Sequence, residues 1–189
     1  AFADLLNAEA RELEAVGVDV IQFDEPAFNA FPEEAADWGV ETLNRCVEGL
    51  KCTTAVHICY GYGIKENIDW KKTLGDEWRQ YETFFPVLDR SDIRQVSLEC
   101  ANSHVPLSVI GMLKTKDVLV GAIDVASSEI ETPEQVAATL RAALEYVDAE
   151  RMVACTNCGL APLSVTLAEA KLKALGEGAA LLRGELEAA

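Results

Sequence analysis

His57 and Cys59 stand two residues apart at the end of the β-prone run 53–56, and strand side chains at i and i+2 share a face. An imidazole and a thiolate presented side by side are donors of the kind a tetrahedral zinc site uses. Two other segments supply what such a site still lacks. Ser97-Leu98-Glu99-Cys100 ends one strand-like run with a carboxylate, and Thr156-Asn157-Cys158-Gly159-Leu160 ends another with a thiol. His57, Cys59, Glu99 and Cys158 together offer one nitrogen, two sulfurs and one oxygen to Zn2+. Zinc deprotonates a coordinated thiol while leaving it nucleophilic, so the chemistry on offer is activation of sulfur at neutral pH.

Donors so far apart in the chain can meet only if their strands end along one edge. The pattern supplies such an edge by alternating helix and strand. Helical periodicity is predicted over 2–16, 33–50 (around Trp38, Val40, Leu43 and Val47), 76–90, 105–114, 133–147 and 165–183. Thr132-Pro133-Glu134-Gln135 opens the fifth of these as a capping box with proline at its first position. Short apolar runs over 18–23, 53–59, 95–100, 118–123 and 152–156 read as parallel strands joined by helical crossovers. Asp24, His57, Glu99, Asp124 and Cys158 fall at or just beyond their C-terminal ends, as on the active face of a (β/α)8 barrel. Five strands could also form an open doubly wound sheet, but no Gly-rich phosphate loop follows the first strand. The polar, aromatic stretch 61–75 is expected to be a functional loop.

Composition narrows the class. The chain has 189 residues, half hydrophobic and a quarter charged, enough for one domain with a real core. Its net charge of −16 argues against nucleic acid, whose binding rests on basic contacts to phosphate. No apolar run approaches the roughly 18 residues of a membrane span, and the first residues read as an acidic amphipathic helix rather than a signal peptide. A cytoplasmic protein is expected. Six cysteines without a secretory segment, one of them in a His-x-Cys pair, favour metal binding over disulfides. Cys46, Cys52, Cys100 and Cys155 are then ordinary small apolar residues, with Cys100 on the strand face opposite Glu99.

The ordered motifs Ile21-Gln22-Phe23-Asp24-Glu25-Pro26-Ala27, His57-Ile58-Cys59-Tyr60, Ser97-Leu98-Glu99 and Asn157-Cys158-Gly159-Leu160 resemble the C-terminal catalytic domain of cobalamin-independent methionine synthase. The resemblance covers nearly the whole chain. It implies a (β/α)8 TIM barrel, with residues 1–189 supplying about the last five β/α units of a single catalytic barrel. By matching position it implies zinc ligation by His57, Cys59, Glu99 and Cys158, with Glu99 the donor displaced when the thiol of homocysteine arrives. It also implies that Asp24 binds the substrate ammonium. The chain begins without methionine, so a portion of a longer protein is expected. A barrel short of three strands would self-associate, pair with a missing segment, or belong to a longer chain.

One departure concerns the methyl donor. Folate-using members of the family carry a histidine two residues after the aspartate of the seventh-strand motif; here Asp124-Val125-Ala126 has alanine there. The resemblance is therefore closer to the short type lacking the folate-binding half. The donor stays open between methylfolate and a methylated corrinoid protein, and Asp124 is left without a role. His104 follows the Glu99 strand and is not assigned. Tyr60, Tyr62 and Trp70 either line a pocket or pack on the rim, and Glu25 reads as structural. Two other functions remain: zinc-dependent alkyl transfer to another thiol such as coenzyme M, or a non-catalytic zinc-binding fragment. Asp24 discriminates the first, because coenzyme M has no ammonium to hold.

Overall fold

A computed structural model of the chain describes residues 1–61 and 65–188; Tyr62 lies outside them. The order is α1 (Phe2–Ala15), β1 (Val20–Asp24), α2 (Pro32–Glu34), a π turn (Ala35–Gly39), α3 (Val40–Val47), β2 (Thr53–His57), α4 (Lys65–Lys71) and α5 (Tyr81–Leu88). There follow β3 (Gln95–Glu99), a 3-10 helix (Leu107–Met112), β4 (Asp117–Gly121), α6 (Pro133–Ala143), a short 3-10 turn (Ala149–Arg151), β5 (Met152–Cys155) and α7 (Val165–Glu187).

The five strands pair in parallel in chain order, β1-β2-β3-β4-β5. That order never reverses, so the sheet has no topological switch point of the doubly wound kind. Right-handed crossovers then carry every helix to the same side, as in an arc of a barrel. One sheet face is therefore a continuous core. Val56, Val96, Leu98, Val118 and Val120 are fully buried and join Phe84, Phe85, Ile110, Val136 and Leu140 beneath the helices. The other face carries polar and small residues in rows, because side chains at one register position point the same way. One row is Asp24, His57, Ser97, Leu119 and Val153; the next is Glu99, Gly121 and Cys155.

Four expected elements come out differently. The helix predicted over 33–50 is interrupted by the π turn Ala35–Gly39, whose wider turn shifts the periodicity by about one residue. Trp38, expected on the packing face, is 58% exposed as a result, while Gly39 lies against the Phe28 ring. The loop expected over 61–75 contains α4, with a Lys65–Asp69 ion pair at i,i+4 spacing. The helix predicted over 76–90 shortens to α5, with Trp78 held in the preceding turn by its Nε1–H donating to the Gly75 carbonyl. The segment 105–114 tightens into a 3-10 helix after Pro106. The capping box at Thr132 and Gln135 forms as predicted, and Ser164 caps α7. No helix among the described residues is long and apolar enough to cross a membrane.

Candidate metal centre

His57 is the last residue of β2 and is buried. Its Nδ1 lies 2.9 Å from Ser97 Oγ on the neighbouring strand. Its Nε2 is buried and has no hydrogen-bond partner among the described residues. Two residues on, Cys59 Sγ accepts from the Gly61 amide at 3.3 Å, and Asn29 Nδ2 donates to the Cys59 carbonyl at 3.2 Å. Cys158 is delivered by the turn that follows β5. The ligating atoms of His57, Cys59 and Cys158 all lie within 4.8 Å of one another.

A buried ring nitrogen without a partner is costly unless something binds it. Here the imidazole lies beside two sulfurs, a donor set that suits a zinc ion. A hydrogen bond donated by the Cys59 thiol to Cys158, together with burial, pushes that thiol well above its ordinary range. Bare, the Cys59 thiol resists ionisation; a divalent cation reverses that preference. The residues therefore fit the metal.

Glu99 ends β3 beside this group but is not one of the three donors within 4.8 Å. Its Oε1 accepts from the Tyr60 amide at 3.2 Å, and burial pushes its carboxyl upward against the pull of that amide and of Lys71. Asp24 ends β1 next to His57 in register. It is exposed, accepts from Gln22 Nε2 at 2.9 Å, and lines a cleft of about 520 Å3 together with His57, Cys59, Cys158 and Gly159. Glu25 also lines the cleft; burial raises its carboxyl while it accepts from the Ala27 amide.

Other residues singled out from the sequence lie elsewhere. Asp124 accepts from Asn102 Nδ2 at 3.3 Å and from the Ala126 amide at 2.8 Å, and does not line the cleft. His104 is exposed, stacked on Trp78 with ring centroids 4.8 Å apart, with Nδ1 on the Asp76 carbonyl. Tyr60 is buried among Trp70, Trp78 and Tyr81, and its hydroxyl donates to Gln80; it packs rather than lines the cleft. Cys46, Cys52, Cys100 and Cys155 are all free thiols. Burial pushes Cys100 and Cys155 up to about 12, so both stay neutral, although Cys155 borders the cleft.

Two supporting residues carried no assignment from sequence. Ser97 lies two positions before Glu99, the spacing that puts it on the same strand face, but only the strand register brings it to His57. Asn157 precedes Cys158. Its Oδ1 accepts from the Cys100 and Ala101 amides at 3.0 and 3.1 Å, and its Nδ2 donates to the Ala101 carbonyl at 2.7 Å.

Comparison with known proteins bears on this arrangement. The family described as "Cobalamin-independent synthase, Catalytic domain" matches residues 1–180. The methionine synthase of Thermococcus kodakarensis is 31% identical over 186 residues, covering 98% of this chain and 50% of that protein. That of Saccharolobus islandicus is 32% identical over 188 residues, covering 98% and 51%. The chain thus spans about half the length of the curated relatives it matches. The structure of a B12-independent methionine synthase from Shewanella sp. W3-18-1, in complex with selenomethionine, superposes with TM-score 0.95 at 61% identity, over 100% of this chain and 55% of that one. A Listeria monocytogenes structure at 17% identity and TM-score 0.65 shares the fold alone. The five β/α units are thus units of a (β/α)8 barrel, and the chain belongs to the cobalamin-independent synthase catalytic-domain family.

Proposed function

We propose that residues 1–189 form the C-terminal part of a single catalytic barrel that transfers a methyl group to the thiol of homocysteine, giving methionine. The observation that carries this reading is the meeting of the His57 ring, whose Nε2 is buried without a partner among the described residues, with the sulfurs of Cys59 and Cys158 on the wall of an open cleft. With Glu99, these residues would hold zinc. When bound, zinc acidifies a thiol that joins it, making that sulfur a nucleophile at neutral pH.

The chain's own residues do the rest. His57 and the two cysteines fix the place where the substrate sulfur must arrive. Glu99 is the one hard oxygen among softer donors, and its hydrogen bond to the Tyr60 amide gives its carboxylate a resting place away from the sulfurs. Asp24, one strand away at the exposed rim, offers a carboxylate to the amino acid's ammonium. The selenomethionine bound to the Shewanella relative is an amino acid with a chalcogen ether side chain, which supports an amino-acid substrate over coenzyme M. Ala126 supplies no proton to a leaving folate nitrogen, so the donor we favour is a methylated corrinoid protein rather than methylfolate. Self-association through the open sheet edges belongs to the same proposal.

X-ray absorption at the zinc edge tests the reading. Adding homocysteine to the zinc-loaded chain is expected to replace an oxygen or nitrogen neighbour with sulfur. A response to coenzyme M alone would transfer the chemistry to another thiol, and no response to either would leave a non-catalytic zinc-binding fragment.

A further inference from the structure

We propose that Ser97 is a positioning residue that sets the tautomer and aim of the His57 ring. The inference rests on the metal reading above and adds the residue that makes His57 a competent donor. A neutral imidazole carries one proton and one lone pair, and only the nitrogen with the lone pair can ligate. A ring nitrogen of His57 lies within 4.8 Å of both sulfurs. Nδ1 is engaged by Ser97, and Nε2 is buried without a hydrogen-bond partner among the described residues, which leaves Nε2 as the nitrogen free to ligate. The proton must therefore sit on Nδ1, and Nδ1 needs an acceptor.

Ser97 Oγ is that acceptor, 2.9 Å away and 4% exposed. Its own hydrogen has a place to go, since Cys155 Sγ lies 3.7 Å from the same oxygen. The contacts then form a directed chain, Nδ1–H to Oγ and Oγ–H to Sγ, in which each hydrogen has one acceptor. The reverse direction, with Ser97 donating to Nδ1, would put the proton on Nε2, where it would be buried with no acceptor among the described residues. The strand register makes the contact rigid, because His57 and Ser97 are direct partners across β2 and β3. Cys155 lies on the same sheet face, two strands from Ser97 and two residues further along. An outer partner that orients a ligating histidine typically governs metal affinity by about 10- to 100-fold.

The chain has only two histidines, so long-range 1H–15N correlation of the ring nitrogens in the metal-free protein can resolve both. Each is expected as the Nδ1–H tautomer: His57 toward Ser97, and His104 toward the Asp76 carbonyl. Ser97→Ala is expected to mix the His57 tautomers, leave the His104 signals in place, and weaken zinc binding by about 10- to 100-fold in a chelator competition. Ser97→Thr keeps the hydroxyl and is expected to restore both readouts, which separates positioning from a packing defect. A wild-type His57 protonated on Nε2, or a folded Ser97→Ala protein with unchanged zinc affinity, overturns the proposal. Failure of the wild type to bind zinc at all would instead sink the metal reading, while the tautomer in the metal-free protein still judges the Ser97 contact.

Discussion

Asn157 Oδ1 lies 3.0 Å from the backbone nitrogen of Cys100, so one amide side chain ties the turn after β5 to the end of β3. The bond passes over the end of β4, where Gly121 leaves the room. A Cβ at that position would come within 2.6 Å of Asn157 Oδ1 and 2.7 Å of the Leu98 carbonyl. The tie sets the distance between the Glu99 segment and Cys158. Asn157→Ala removes one of two acceptors from each of the Cys100 and Ala101 amides, which keep the Gly121 carbonyl, and takes the Asn157 donor from the Ala101 carbonyl, at roughly 1–3 kcal/mol in all. Gly121→Ala forces the same strands apart and is expected to cost about 1–3 kcal/mol. Urea denaturation measures both, and a loss under about 0.5 kcal/mol for either variant would contradict the tie.

Cys158→Ser is expected to lose most bound zinc, because serine's hydroxyl does not replace a thiolate at a site whose other proposed donors are an imidazole, one sulfur and the Glu99 carboxylate. Metal analysis after dialysis reads the outcome directly. Full occupancy in the variant would remove Cys158 from the donor set.

Asp24 is expected to act on the substrate and not on the metal. Asp24→Asn should keep its zinc and weaken homocysteine binding by about 10- to 100-fold, the worth of one hydrogen bond to a charged group. Titration calorimetry on the zinc-loaded variant decides it. Unchanged homocysteine affinity would reduce Asp24 to a strand terminator.

Glu99 predicts a pH dependence of the metal-free chain. Burial raises its folded pKa above the ordinary 4.5. A raised value means the group's contribution is fully present below about pH 4.5 and is lost as pH rises through the folded value. At pH 7 that contribution has been wholly or partly lost, so Glu99 is a net cost to the metal-free fold. Glu99→Gln is expected to be more stable than wild type at pH 7, with the difference shrinking toward pH 4. Denaturation midpoints across that range check the trend; a constant difference would reject it.

Lys171 supplies a test away from the metal. It is fully buried, and its Nζ donates to the Asp124 and Glu129 carbonyls and to the Glu131 carboxylate, at 2.9 Å from Oε2. Lys171→Met leaves the largely buried Glu131 unpaired and is expected to cost about 3–5 kcal/mol. Lys171→Met combined with Glu131→Gln should recover part of that loss in the same urea titration. No recovery would mean the backbone contacts, rather than the ion pair, carry the effect.

Much of this was legible in the sequence because the signals were local. Apolar runs of four to six residues marked all five strands, and the His57-x-Cys59 spacing pointed to neighbouring donors, although β2 ends at His57 and Cys59 lies just beyond it rather than on the strand face expected over 53–59. The capping box at Thr132 was equally local. What escaped depended on context. The π turn at Ala35–Gly39 costs the helix one residue of register, and nothing in Ala35-Ala36-Asp37-Trp38-Gly39 announces it. It is the packing of Phe28 on Gly39 that accompanies it. The helix Lys65–Lys71 hid in a polar segment with few apolar positions to show a period. Ser97 and Asn157 act across strands whose register a single sequence does not carry, so their residue types were visible and their partners were not.

The donors His57 and Cys59 come from one half of the chain and Cys158 from the other, and they meet only after β3 and β4 have inserted between their strands. An unfolded or partly assembled chain presents a His-x-Cys pair and a distant thiol, which chelate weakly. On the proposed metal reading, tight uptake of the ion would wait for the last strand to dock, so occupancy would report the completed topology and the ion's affinity would become part of the folding equilibrium.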